Sequence, residues 1–243
     1  MQTWGLTDPG NIRQQNQDAY AIVPFGRDRV LMIVCDGMGG AKSGNVASSL
    51  AVEVFTDEVR RTQKAGMSPE KASAMLRSAL ELANRAVFEQ SQLSEDFTGM
   101  GTTLVAAWLN RDLAVIINVG DSRAYHFTKE DVRLVTRDHS MVAYMVERGE
   151  LTQEQAKLHP GKNVITRAVG TEPEVEGDVF ICKLRKEECI LLCSDGLSNE
   201  MADQEMLFEV VHGMSKSDCC QRLLHIAKKR GAPDNVTVAL AAV

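Results

Sequence analysis

Two short phrases end an apolar run on a carboxylate followed by glycine. In "RVLMIVCDGMGG", six apolar residues from Val30 to Cys35 lead into Asp36, and Gly37, Gly39 and Gly40 follow. "ILLCSDG" repeats the form with Asp195 and Gly196. Asp18, Asp121 and Asp234 also stand beside turn residues or at the edge of an apolar segment. Carboxylates gathered at strand ends repel one another. A hard divalent cation such as Mg²⁺ or Mn²⁺, which prefers oxygen ligands, removes that repulsion. Gly37 leaves room for its backbone carbonyl to face such an ion. Arg13, five residues before Asp18 in "DPGNIRQQNQD", carries a guanidinium fork that matches two oxygens of a phosphate. Taken singly, each Asp reads more readily as an ordinary turn or cap residue, and Arg13 as a solvated surface residue.

The elements that must position these residues follow from periodicity. Residues 29–36 and 188–194 are continuous apolar runs, as expected of buried strands. Residues 102–109 and 112–119 read as two more, joined by a hairpin turn at "LNRDL", and "NVGDSRAY" makes a further tight reversal into a strand. "NVTVALAAV" starts with alternation at Val236, Val238 and Leu240, which predicts a half-buried strand. A helix over 45–60 is predicted from the stripe Val46, Leu50, Val54. A second opens with Ser68 as N-cap and Pro69 at its first position. A third starts near Ser217 and stops at Lys228, Lys229, Arg230 and Gly231. Between the core strands, residues 141–148 read as a short helix stopped by Gly149, and Thr152 with Gln155 as the capping box of another. With "HPGKNVITRAVG" they form an insertion of the size used for lids and recognition loops. Consecutive hairpin strands favour antiparallel sheet layers covered by helices over a doubly wound parallel sheet.

Composition bounds the rest. The chain has 243 residues, 44% of them hydrophobic, enough for one large core, and no linker-like stretch divides it, so a single domain over 1–243 is expected. The net charge of −6 argues against nucleic acid as the main partner and fits acids gathered around cations. No apolar run reaches the roughly 18 residues of a membrane span. The opening "MQTWGLTDPG" lacks the basic and apolar regions of a signal peptide. The six cysteines form no C-x-x-C pair, and Cys35, Cys189 and Cys193 lie inside apolar runs as small buried hydrophobes, which favours the cytosol. The five histidines show no metal spacing and read as surface or packing residues.

The ordered set "TDPGNIRQQNQD", "VCDGMGG", "GTTL", "NVGDSRAY", "LTRDHS", "HPGKNVITRAVG", "CSDGLSN" and "PDNVTVALA" resembles the metal-dependent Ser/Thr protein phosphatases of the 2C type, and most closely their bacterial branch. The likeness extends from about Thr7 to Val243. It implies an α+β fold of two packed antiparallel β-sheets flanked by helices on both sides, with a flap over about 143–170. It also implies hydrolysis of phosphate monoesters with Mn²⁺ or Mg²⁺, two central ions and a third. On this likeness Asp36 bridges the central ions, and Gly37 supplies a backbone carbonyl ligand. Asp195 and Asp234 hold one central ion, and Asp121 holds the third ion together with Asp195. Asp18 holds metal-bound water, and Arg13 binds the phosphate. The implied partners are phosphorylated proteins and an opposing bacterial Ser/Thr kinase, and a cytoplasmic monomer is expected. Two positions depart from the animal and plant members. Met38 stands where they carry a histidine read as general acid, and Gln17 where they carry a glutamate. Both changes are usual in bacterial relatives, so activity is expected, with water on the metals as the default candidate for the proton donor.

Three alternatives fit less well. An aspartyl-phosphate phosphohydrolase needs a second Asp two residues after its nucleophile, and those positions are Met38 and Leu197. A nucleotide-binding loop ends in Gly-Lys-Ser/Thr, whereas in "GMGGAKSG" Lys42-Ser43 precedes Gly44. A non-catalytic phosphoprotein-binding module on the same fold is the third, and the intact Asp36, Asp121, Asp195 and Asp234 argue against it.

Overall fold

The computed structural model describes residues 1–39 and 43–243. Gly40, Ala41 and Lys42 lie outside the described residues, and with them part of the glycine-rich phrase and the lysine of the nucleotide-loop alternative. In chain order the strands β1 (Gln2–Asp8), β2 (Asp18–Pro24) and β3 (Arg29–Met38) precede helices α1 (Gly44–Thr62) and α2 (Pro69–Ser91). Then come β4 (Gly101–Thr102), β5 (Leu104–Asn110), β6 (Leu113–Val119), β7 (Arg123–Phe127) and β8 (Val132–Leu134). The short helices α3 (Met141–Glu147) and α4 (Gln153–Leu158) lead to β9 (Asp178–Lys183) and β10 (Cys189–Cys193). Helices α5 (Asp195–Ser198), α6 (Asp203–Leu207) and α7 (Cys219–Lys229) precede β11 (Val236–Ala242).

The strands build two sheets in the orders β1-β11-β10-β7-β8 and β2-β3-β5-β6-β9, with β4 added to β3, and every pairing is antiparallel. Alternation along β3 explains its unbroken apolar run. Val30, Met32 and Val34 face the other sheet, meeting Ile190, Leu192, Ala239 and Ala241. Leu31, Ile33 and Cys35 face away, onto Ala47, Ala51 and Phe55 of α1 and Leu76 and Leu80 of α2. Helix α7 covers the far side of the other sheet, where Leu223 and Ala227 meet Leu191, Val238 and Leu240. A strand covered on both faces has no polar face to show.

Two strands differ from the sequence reading. β11 is buried at all seven positions rather than half-buried. Its small residues Ala239 and Ala241 fill the space between the sheets, while Val238 and Leu240 face α7. β3 does not end at Asp36 but continues to Met38, because β4 pairs with its last residues, Gly37 with Thr102 and Met38 with Gly101. The helix signals act as read. Ser68 Oγ accepts the Lys71 N–H, and Thr152 and Gln155 form a reciprocal capping box. The insertion is closed at its base by two bridges, Ser140 to Ile165 and Thr102 to Val169. No helix among the described residues is long and apolar enough to cross a membrane.

Candidate active site

The site forms where the ends of the two sheets meet. Asp18 opens β2 directly opposite Asp36 of β3, so both carboxylates stand at one level of the sheet. Like charges placed opposite are destabilising unless something compensates. Part of the compensation crosses to the other sheet. Asp18 Oδ2 accepts hydrogen bonds from Ser194 Oγ at 2.7 Å and Thr237 Oγ1 at 2.6 Å. Its other oxygen, Oδ1, is buried without a partner.

The ladder beside Asp36 is rerouted through a hydroxyl. The Asp36 carbonyl accepts the Thr103 N–H at 2.8 Å, but the Asp36 N–H donates to Thr103 Oγ1 at 2.9 Å instead of to a carbonyl. Thr103 Oγ1 lies 2.7 Å from Ser122 Oγ, which ties β3 to the turn carrying Asp121. Irregular strand pairing of this kind is common beside active sites. Gly37 is glycine because of close backbone approach. A Cβ there would lie 2.0 Å from the Gly44 carbonyl oxygen and 2.6 Å from that of Gln17. The Gly37 N–H donates to the Gln17 carbonyl at 3.1 Å.

Asp195 begins α5. Its Oδ2 accepts from Asn199 Nδ2 at 3.1 Å, and its Oδ1 is buried without a partner. Asp234 lies just before β11, where its Oδ2 meets Arg13 at 2.8 Å and its Oδ1 accepts the Asn235 N–H. Asn235 folds the Arg13 loop onto this corner. It donates to the carbonyls of Pro9 and Gln15, each at 3.0 Å, and accepts the Gln17 N–H at 2.8 Å. Ser194, Thr237, Thr103, Asn199 and Asn235 were not singled out from sequence. Their signal was adjacency, since four of them sit inside the phrases that carry the aspartates and Thr103 sits in "GTTL".

The electrostatics show that the carboxylates sense one another. Asp36 is held well above the ordinary carboxylate range, by burial first and then by Asp18, Asp195, Asp121 and Asp234. Burial pushes Asp18 up to about 6, against the hydrogen bonds from Thr237 and Ser194, with Asp195 and Asp234 adding repulsion. Asp121 is raised to about 7 by burial, then by Asp195 and Asp138. Asp195 is raised by burial and by Asp234, while the hydrogen bond from Asn199 acts the other way. Arg13 feels Asp36 and Asp195 as well as Asp234. The five aspartates and Arg13 predicted from sequence therefore gather at one place.

They do not stand as a closed ligand set. Among the described residues, no three His, Cys, Asp or Glu side chains are grouped as metal ligands, and Asp234 is engaged by Arg13. The donor chemistry nevertheless fits a hard cation. All donors are oxygens, Asp18 Oδ1 and Asp195 Oδ1 are buried and unpartnered, and each raised carboxylate is relieved by nearby positive charge. A cavity of about 730 Å³ opens from Asp121 and Asp195 beneath α3 and α4, lined further by Arg123, Val142, Val146, Lys162 and Met201.

The chain as a whole is similar to known protein phosphatases. Residues 12–229 match the family model described as Protein phosphatase 2C. A relative named serine/threonine phosphatase stp, from Listeria welshimeri, is 37% identical over 234 residues, covering 96% of this chain and 92% of that protein. The crystal structure of serine/threonine phosphatase Stp1 from Staphylococcus aureus superposes with a TM-score of 0.92 at 35% identity, covering 99% of this chain and 94% of that one. The catalytic domain of the phosphatase PstP, solved in complex with two manganese ions, gives a TM-score of 0.84 at 30% identity and covers 99% of this chain and 97% of its own.

Proposed function

This chain belongs to the protein phosphatase 2C family and is a serine/threonine phosphatase, and from that premise we propose that it hydrolyses phosphoserine and phosphothreonine esters in proteins with Mn²⁺ or Mg²⁺. The observation that carries the metal requirement is the pair of buried, unpartnered oxygens, Asp18 Oδ1 and Asp195 Oδ1, inside a group of mutually repelling carboxylates. Asp36, the Gly37 carbonyl, Asp195 and Asp234 would hold two central ions, and Asp121 with Asp195 a third. When bound, the ions supply Lewis acidity toward phosphoryl oxygens and make a nearby water acidic enough to attack at neutral pH.

The chain's own residues have separate tasks. Arg13 binds two phosphoryl oxygens in its fork. Its present partner is Asp234, and the pair is half-exposed, with side-chain exposures of 55% and 34%. Such pairs are worth about 0–1 kcal/mol, so exchanging the carboxylate for a phosphate costs little. Asp18, fixed by Ser194 and Thr237, orients water with its remaining oxygen. Met38 has no proton to give, so the leaving alkoxide takes its proton from solvent. The cavity under α3 and α4 receives the peptide that carries the phosphate. We place the enzyme as a monomeric single catalytic domain in a reducing compartment, the cytoplasm, which suits its six unpaired cysteines, and opposite a Ser/Thr kinase.

The test is release of inorganic phosphate from a phosphothreonine peptide. Activity is expected with Mn²⁺ or Mg²⁺, none in excess EDTA, and a deep loss in Asp195→Ala. Undiminished turnover in EDTA or in that variant overturns the assignment. Peptide binding with no phosphate release under any metal would favour the non-catalytic module instead.

A further inference from the structure

The turn that presents Asp121 is gripped by one buried histidine. The Gly120 N–H donates to His139 Nδ1 at 3.1 Å, and the Gly120 carbonyl accepts the His139 backbone N–H at 2.9 Å. Gly120 adopts φ +100°, and a Cβ there would lie 2.6 Å from Thr103 Cγ2, so Thr103 walls the turn on its other flank. His139 is only 7% exposed. A ring nitrogen that accepts an amide N–H carries no proton, so the proton is on Nε2. Nε2 faces Asp178 Oδ2 at 3.3 Å. Arg167 also lies 3.3 Å from Nε2, but both groups are donors in this tautomer, so that approach is not a hydrogen bond. Asp178 bridges them instead, with its Oδ1 accepting from Arg167 at 3.1 Å. From sequence this histidine reads as a surface or packing residue, yet every polar atom of its ring and backbone is engaged. Its carbonyl accepts the Thr166 N–H at 2.8 Å.

We infer that His139 is a positioning residue for Asp121. Its Nε2–H tautomer, oriented by Asp178, accepts the Gly120 amide and fixes the turn from which Asp121 reaches the site. Outer hydrogen bonds of this type set the orientation of ligands they do not replace. The inference rests on Asp121 being a ligand of the third ion.

The side chain of Asn places an acceptor where Nδ1 stands, and that of Gln places an amide where Nε2 stands. Calorimetric titration with Mn²⁺ should therefore separate His139→Asn from His139→Gln and His139→Ala. The weakest class of bound Mn²⁺ should persist in His139→Asn and weaken about 10–100-fold in the other two, with the central pair unchanged. The Mn²⁺ concentration for half-maximal turnover should move in parallel. Equal behaviour of the Asn and Gln variants, or an unaffected Gln variant, overturns the inference. Should the Gln and Ala variants fail to fold, nitrogen-15 chemical shifts of the wild-type imidazole decide. The Nε2–H form supports the inference, and the Nδ1–H form overturns it. Asp121→Ala separates the two layers of argument. If it loses the weak class while His139→Gln keeps it, only the role of His139 fails. If it keeps that class, the reading of Asp121 fails and the inference falls with it.

Discussion

Arg13 and Asp234 meet at 2.8 Å, so under the proposed function the group that binds phosphate holds one that binds metal. The two roles are compatible because the bond is exposed and weak, so substrate and metal can divide the pair between them. If Arg13 grips the phosphoryl group, both its charge and its fork matter. Lysine keeps the charge and loses bidentate contact, so Arg13→Lys should not behave as a conservative change. A charge-assisted bond contributes roughly 1.5–3 kcal/mol, which corresponds to about one to two powers of ten in kcat/KM. Turnover should be weakened rather than abolished, because Arg13 is not a metal ligand. Contact already made to bound substrate raises KM, whereas contact that tightens as charge develops lowers kcat. Steady-state kinetics on a small aryl phosphate at saturating Mn²⁺ decide between these. An Arg13→Ala enzyme with wild-type kcat and KM would return Arg13 to the solvated surface. Spacing alone cannot show that such residues meet. Asp18 and Asp36 are brought together only by the β2–β3 register, and Arg13 reaches Asp234 only because Asn235 ties down its loop. The ordered run of motifs, rather than any single phrase, made the site legible.

Among the elements, legibility followed position in the sheet. β3, β5, β6 and β10 lie inside their sheets and are covered on both faces, so their apolar runs stand out. β1, β2 and β9 are edge strands with mostly half-buried residues, and none was assigned from sequence. Edge strands mix polar and apolar residues, which blurs a period-two signal. α5 and α6 are too short, at 4 and 5 residues, for a helical period to declare itself. The flap helices were legible through capping rather than periodicity. Under the proposed function, their placement over the cavity suits them to substrate selection. His159 serves the flap's own turn, since its Nδ1 accepts the Gly161 N–H at 3.0 Å, whereas Lys162 lines the cavity. Lys162→Ala should therefore lower kcat/KM on an acidic phosphopeptide by up to about fivefold, the worth of one exposed ionic contact of roughly 1 kcal/mol. Turnover of a small aryl phosphate, which does not reach the flap, should barely change. Equal loss on both substrates would show that Lys162 acts on the chemistry or on folding.

For the whole molecule, the same carboxylates make stability depend on pH and metal together. Asp18 rises from its ordinary 3.8 to about 6 and Asp121 from 3.8 to about 7, while Asp36 and Asp195 are also raised. A carboxyl whose folded value exceeds its unfolded value binds protons more tightly when folded. Its stabilising contribution is complete below about pH 4 and is lost as pH rises through about 6 to 7. His139, lowered by burial, acts in the opposite sense, gaining stability as pH rises through its unfolded range. It is one group against four. In EDTA, the melting temperature should therefore fall between about pH 5 and 7.5. Mn²⁺ competes with protons for these oxygens and binds the folded state, so the rise in melting temperature that it produces should grow with pH across that window. Taking the difference between the two curves removes the groups that are not coupled to the site. Asp36→Asn supplies the internal control, because it removes the charge at the centre of the group without changing its size. The metal-free curve of that variant should be flatter and its Mn²⁺ increment smaller. A Mn²⁺ increment that stays constant from pH 5 to 7.5 would show that the ion does not bind among these aspartates, whatever its effect on turnover.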